Sequence, residues 1–155
     1  MVATGSRPKI LNIEGTDKLF TAEEVLLGKK DAGKSTIIIG GGLVGCETAL
    51  WLQKQGKKVT IVEMMDDILA VGGPICHANH DMLKDLIHFK DINVKCSAKV
   101  TKADSAIAAI GYNSENSLYD KIRFSHNNVR MIGDANEVKN IMYAIWDAFE
   151  VARHI

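Results

Sequence analysis

The stretch TIIIGGGLVGCETALWLQKQGKKVTIVE, from Thr36 to Glu63, constrains the fold of this chain more than any other. A β-branched run at residues 36–39 predicts a buried strand, and the glycines after it predict a tight turn. Residues 43–55 have the composition of a helix that Gly56 ends at its C′ position, and residues 58–63 predict a second strand. Strand, helix and strand in this order form a βαβ unit with parallel strands. The expected class is therefore α/β, a Rossmann-like parallel sheet flanked by helices.

Gly40, Gly42 and Gly45 fall in G-x-G-x-x-G register between the first strand and the helix. Gly40 makes the tight turn, Gly42 admits a pyrophosphate to the backbone, and Gly45 lets the helix pack close to the strand. Free N–H groups and the dipole at the helix start attract the anion. Glu63 ends the second strand about twenty residues on, where a carboxylate accepts hydrogen bonds from an adenosine ribose. Met64, Met65, Asp66 and Asp67 follow it with no arginine or lysine for a 2′-phosphate, so NADH is expected over NADPH. Two other readings compete: glycines kept only for packing, and a methyltransferase turn for S-adenosylmethionine, against which the three-glycine spacing and Glu47 argue.

A second glycine motif leads elsewhere. GKKDAGKS, from Gly28 to Ser35, spells the G-x-x-x-x-G-K-S of phosphate-binding loops. Such a loop needs a strand before it and a helix after it. Here Thr21 and Glu24 have capping-box spacing ahead of it and TIIIG follows, so a helix enters and a strand leaves. The stretch is expected to be a lysine-rich connection.

Bulk properties narrow the classes. The 155 residues suit one domain, and 19 basic against 19 acidic residues leave no net charge to favour nucleic acid or an acidic membrane. No apolar run is long enough to span a bilayer, and no signal peptide is apparent. Cys46, Cys76 and Cys96 form no C-x-x-C pair, so a cytoplasmic location is expected rather than a disulfide framework or cluster. Cys46 stands near a helix start, which lowers a thiol's pKa, but a small packed side chain is the preferred reading. Cys76, His77 and His80 in CHANH supply too few ligands for zinc and are read as a polar helix face. Met64 and Met65 suit either an apolar contact or strand-end packing, and His126, Asn127 and Asn128 suit a turn.

The rest of the chain continues the alternation. Pro74 is expected to open a helix carrying Met82, Leu83, Leu86, Ile87 and Phe89. Strands are expected at 93–100, 105–110 and 129–132, and a closing helix at 137–154.

Three further motifs join the glycine turn: ATGSRP at the start, AIGY at 109–112 and MIGDA at 131–135. In this order they resemble the flavoproteins with two dinucleotide-binding domains. The wording ATGSRP, TAEEVLLGK and GGGLVGCETA is most similar to the C-terminal region of NADH:flavin oxidoreductases of the 2-enoate reductase and 2,4-dienoyl-CoA reductase type. The resemblance implies that Gly40, Gly42, Leu43, Val44 and Gly45 contact the NADH pyrophosphate. It implies Glu47 near the nicotinamide ribose, Glu63 on the adenosine ribose and Gly111 near the cofactor. Thr4 and Gly5 would lie near FAD, and Gly133 and Asp134 of IGD would bind its ribityl or pyrophosphate region. Without the resemblance, Asp134 reads as a turn carboxylate capping the helix near Glu137.

The implied organisation is an N-terminal segment and linker from an FAD-binding domain at 1–35, an NAD(P)-binding domain at 36–112, and a C-terminal FAD-domain segment at 113–155. A second glycine motif for FAD is missing, and the step from Val100 to Ala103 is short where the family has a β-meander. The chain therefore resembles a fragment of a larger enzyme with upstream flavin-containing domains, inactive alone and holding FAD weakly or not at all. In that enzyme hydride passes from NADH to a flavin that reduces an unsaturated acid or thioester. The alternative is a non-catalytic NAD(H)-sensing or interaction module. Apolar surface left without its flavin partner is expected to favour a homo-oligomer.

Overall fold

The computed structural model describes residues 1–70, 76–102 and 105–154. In chain order the first elements are β1 (Ser6–Pro8), β2 (Leu19–Thr21), α1 (Ala22–Leu26), β3 (Ser35–Ile39), α2 (Leu43–Lys54) and β4 (Lys58–Val62). They are followed by α3 (His77–Phe89), β5 (Asn93–Lys95), β6 (Ala106–Ala108), β7 (Tyr112–Ser114), α4 (Ser117–Ile122) and α5 (Ile141–Ala152). Contacts divide the chain into two units, Ile10–Gly111 and Met1–Lys9 with Tyr112–Ile155.

In the unit Ile10–Gly111 five parallel strands lie in the order β2-β6-β3-β4-β5. The β-branched run makes β3, whose Ile38 pairs with Ile61 on one side and Ile107 on the other; all three are fully buried. Such continuous burial is usual for parallel strands covered on both faces. Helix α2 contributes Cys46, Ala49 and Leu52 to this core, α3 contributes Leu83 and Ile87, and α1 contributes Ala22 and Val25. Gly56, at φ +78°, follows the cap residue Gln55 and ends α2 as expected.

Residues 10–35, expected to go with the N-terminal segment, belong to this unit. The reason is β2, which pairs with β6 from Leu19 opposite Ala106 to Thr21 opposite Ala108. The strand expected at 93–100 stops at Lys95 because Ser97 turns to φ +51° and donates its N–H to Met65 O at 2.7 Å. The strand expected at 105–110 is confined to β6. The helix opening at Pro74, and the Ala103 end of the short step, lie outside the described residues.

In the other unit β1 and β7 form an antiparallel ribbon with Arg7 opposite Asn113. The strand expected at 129–132 is reduced to one bridge between Val2 and Met131. The closing helix starts at Ile141 rather than 137, because the Asn140 side chain accepts the Tyr143 N–H at 3.3 Å and caps it there. Asp134 therefore caps no helix. Along α5, Ile141, Met142, Ile145, Trp146 and Phe149 are all exposed. His126, Asn127 and Asn128 form the expected turn, with Asn128 at φ +61°.

Candidate dinucleotide-binding site

The sheet reverses direction at β3: the chain steps outward through β4 and β5, then returns with β6 on the other flank. Ligands of open parallel sheets lie beyond the carboxyl ends of the strands at such a reversal. Beyond β3 stands the glycine turn, and beyond β6 stand Ala109 and Gly111.

The three glycines differ sharply in their surroundings. Gly40 has φ +107°, and a Cβ there would lie 2.4 Å from the Ala109 carbonyl oxygen. A Cβ on Gly45 would lie 2.0 Å from the carbonyl oxygen of Gly40. A Cβ on Gly42 would meet nothing within 4 Å. Gly42 is also the N-cap of α2, with no side chain capping it. The first N–H groups of the helix thus face an open position, which is what an approaching pyrophosphate requires. Leu43 and Val44 flank this opening half-buried, and Glu47 is exposed one turn into α2. Gly111, exposed at φ +95°, leaves the neighbouring strand.

Glu63 lies just past β4 and is only 8% exposed. One carboxylate oxygen accepts the Gly41 N–H at 2.5 Å and the other accepts the Met65 N–H at 2.9 Å. An ionised carboxylate offers about four acceptor positions, so two remain beyond those the backbone fills. This brace was not legible in the motif, where Gly41 is an unspecified position. Gly41 is nevertheless confined: a Cβ there would stand 2.7 Å from Ile68 Cγ2 and 3.2 Å from the Glu63 carboxylate. The only sequence signal was a third glycine in GGG.

The segment after Glu63 folds back over the turn. Leu69 donates its N–H to Gly41 O at 2.8 Å, and Ile68 and Leu69 are buried. Met64 and Met65 are exposed, so strand-end packing does not describe them. Asp67 pairs with Lys84 of α3, and that ammonium holds its carboxyl below the usual carboxylate range. Cys46 is fully buried with its Sγ 3.4 Å from Gly41 O, and burial pushes its thiol up to about 12, with the Glu63 charge adding to the effect. The preferred packed-side-chain reading of Cys46 holds, and the helix start does not activate it. Among the described residues no group of three or more His, Cys, Asp or Glu is placed to hold a metal.

The lysine-rich connection is closed by a cation. Lys57 Nζ donates to the Asp31 carboxylate at 2.7 Å and to Gly33 O at 2.8 Å. Its oxygens thus converge on an ammonium, and Ser35 begins β3 rather than a helix.

The remaining predicted residues lie in the other unit. Thr4 Oγ1 donates to the Glu115 carbonyl, and Gly5 O accepts the Glu115 N–H at 2.9 Å. Asp134 accepts from Ser6 Oγ at 2.9 Å, and Gly133 N–H donates to the Asp147 carboxylate at 3.1 Å.

Against this geometry, the family described as pyridine nucleotide-disulphide oxidoreductase matches residues 1–116. The chain belongs to that family. Pyridine nucleotide-disulphide oxidoreductases are enzymes that use NAD(P)H and FAD. The disulphide in the family's name has no counterpart in this chain, whose three cysteines are free thiols. Cinnamate reductase of Clostridium sporogenes is 58% identical over 173 residues, which cover 100% of this chain and 26% of that protein. The match runs over more positions than the 155 of this chain, so the relative carries extra residues within it. NADH oxidase of Thermoanaerobacter brockii is 35% identical over 100% of this chain and 27% of its own length. This chain spans about a quarter of the length of these relatives. Among solved structures, a 2-naphthoyl-CoA reductase complex matches with a TM-score of 0.84 at 22% identity, covering 99% of this chain and 26% of that one, and shares the fold. No helix among the described residues is long and apolar enough to cross a membrane.

Proposed function

We propose that this chain is the NADH-binding part of an FAD-dependent oxidoreductase that passes hydride from NADH to a flavin for reduction of an unsaturated acid or thioester. Gly42 carries the reading: it is open to a ligand at an uncapped helix start, while Gly40 and Gly45 are closed by backbone on either side. The finer assignment, to the 2-enoate reductase and 2,4-dienoyl-CoA reductase type, is supported by the motifs ATGSRP and GGGLVGCETA and by the 58% identity to a protein named cinnamate reductase.

In this reading Gly40, Gly42, Leu43, Val44 and Gly45 form the pyrophosphate turn, and the first N–H groups of α2 neutralise its charge. Glu63 accepts the adenosine ribose hydroxyls, already oriented by the Gly41 and Met65 amides. Glu47 stands toward the nicotinamide ribose, and Gly111 lets the facing strand come close. NADH, when bound, supplies the hydride; the protein contributes binding, orientation and exclusion of water.

Residues 10–111 form the NADH-binding unit. The unit of residues 1–9 and 112–155 belongs to an FAD-binding domain, with Thr4, Gly5, Gly133 and Asp134 on its flavin side. Because the sequence carries one G-x-G-x-x-G turn and no second one for the FAD adenosine half, the chain alone holds FAD weakly and is inactive without upstream flavin-containing domains. The three free thiols support a cytoplasmic location.

Calorimetric titration of the chain with NADH, NADPH and FAD tests the proposal, with Gly42→Asp as control. An aspartate is a good N-cap, so this variant stays folded while its charge repels a pyrophosphate. NADH binding lost in the variant, with little FAD uptake by either protein, is the expected result. Equal NADH binding by both, or none by the folded wild type, refutes it.

A further inference from the structure

Near Glu63 the sequence offers carboxylates and no neighbouring cation, but the fold brings one in. Lys84, in the middle of α3, reaches the segment after β4 and pairs with Asp67. That segment is anchored at several points: Glu63 takes the Met65 N–H, Met65 O takes the Ser97 N–H, and Leu69 donates to Gly41 O. Asp67 is therefore held four residues beyond the ribose-binding carboxylate, at the rim of the same turn. The pair is open to water, with the Lys84 side chain 31% exposed and that of Asp67 57% exposed.

NADPH differs from NADH by a phosphate on the adenosine ribose, the group Glu63 is proposed to hold. A phosphate there meets Glu63, Asp66 and Asp67 on one short segment, and recognising it takes a cation with free donors. Lys84 reaches this segment with donors to spare, but Asp67 neutralises its charge and holds the ammonium on its own carboxylate. Resting on the NADH-binding reading, we propose that Asp67 is a specificity-determining residue that withholds Lys84 from the 2′-phosphate of NADPH. Discrimination then comes from two sources: repulsion by carboxylates, and a lysine kept occupied by one of them.

The two sources are separable. Asp67→Asn and Asp66→Asn each remove one negative charge from the same segment, but only the first releases Lys84. The 155-residue chain and these variants are titrated with NADH and NADPH at matched ionic strength, with circular dichroism as a check of folding. Asp67→Asn is expected to shift the NADPH-to-NADH affinity ratio about tenfold or more toward NADPH, the size of a charge-assisted hydrogen bond. Asp66→Asn is expected to shift it less than about threefold. Adding Lys84→Met to Asp67→Asn should cancel most of the gain. Equal shifts for Asp66→Asn and Asp67→Asn, or a gain that survives Lys84→Met, overturn the proposal while leaving NADH binding intact. Failure of the folded wild type to bind NADH removes the underlying reading as well.

Discussion

The Glu63 carboxylate accepts the Gly41 N–H at 2.5 Å, which ties the end of β4 to the turn that leaves β3. The same side chain that is proposed to receive a ribose therefore holds the shape of the pyrophosphate turn. Glu63→Gln keeps the size but gives up the charge and sets an amide NH2 near backbone donors. It should lower unfolding stability by about 1–3 kcal/mol as well as weaken NADH binding. Urea denaturation of both proteins checks this; unchanged stability would reduce Glu63 to a ligand contact.

Gly45 and Gly42 should respond in opposite ways to alanine. At Gly45 the new methyl meets the Gly40 carbonyl, and neither backbone segment can retreat, so a loss of about 3 kcal/mol or more is expected. At Gly42 it enters open space, and only the poorer N-cap is felt, within about 1 kcal/mol. Thermal unfolding with and without NADH separates them, since only the second variant should stay folded while binding weakly.

The three thiols should differ in reactivity. Cys76 is exposed and should react with a thiol reagent in the native protein, whereas Cys46 should react only on unfolding. The folded thiol of Cys46 is raised from 9.0 to about 12, so the native state favours its proton. Its contribution is complete below pH 9.0 and is lost as pH rises toward 12. Removing it with Cys46→Ala should therefore flatten the fall in stability over that range.

The capping box of α1 provides a test at acid pH. Thr21 and Glu24 exchange backbone hydrogen bonds, with Glu24 accepting the Thr21 N–H at 2.9 Å and Thr21 accepting the Glu24 N–H at 3.1 Å. Thr21→Ala should cost about 1 kcal/mol at neutral pH. The Thr21 amide is the main cause holding the Glu24 carboxyl below its ordinary 4.5. Stability from this contact is thus present above 4.5 and lost as pH falls through the lower folded value. Guanidinium melts of wild type and Glu24→Gln at falling pH should converge, since the variant lacks the charge that wild type loses on protonation.

Helix α5 exposes Ile141, Met142, Ile145, Trp146 and Phe149 together, an apolar surface that favours self-association. Sedimentation velocity should show larger species growing with concentration, and Ile145→Glu should shift them toward the monomer. A chain that stays monomeric at every concentration would show that this face is tolerated in water.

What was legible in the sequence was local. The β3–α2–β4 unit is spelled by a β-branched run, three spaced glycines and a C′ glycine, all acting within a few residues of one another. The decoy at Gly28–Ser35 was excluded on the same grounds, by the order of its neighbours. Contacts between distant segments were not legible. β2 and β7 have three residues each, too few for periodicity to mark, and exist because β6 and β1 pair with them. The Glu63–Gly41 bond depends on β3 and β4 ending together, Ile39 opposite Val62, and the Lys84–Asp67 pair depends on how α3 lies. The strand expected to run on to Val100 ends at Lys95, where CSAKV offers one β-branched residue and Ser97 turns the chain.

One consequence of the strand order concerns how the molecule is assembled. β6 is the wedge between β2 and β3, yet it is made only after β4, α3 and β5. Until β6 pairs with them, the facing edges of β2 and β3, at Phe20 and Ile38, have no partner in this sheet order. A ribosome that halts before Ala106 leaves a chain with sticky edges and no complete crevice. The last strand inserted thus both fills the interior of the sheet and brings Ala109 against Gly40, so that the turn beyond β3 gains its neighbour only when β6 is in place.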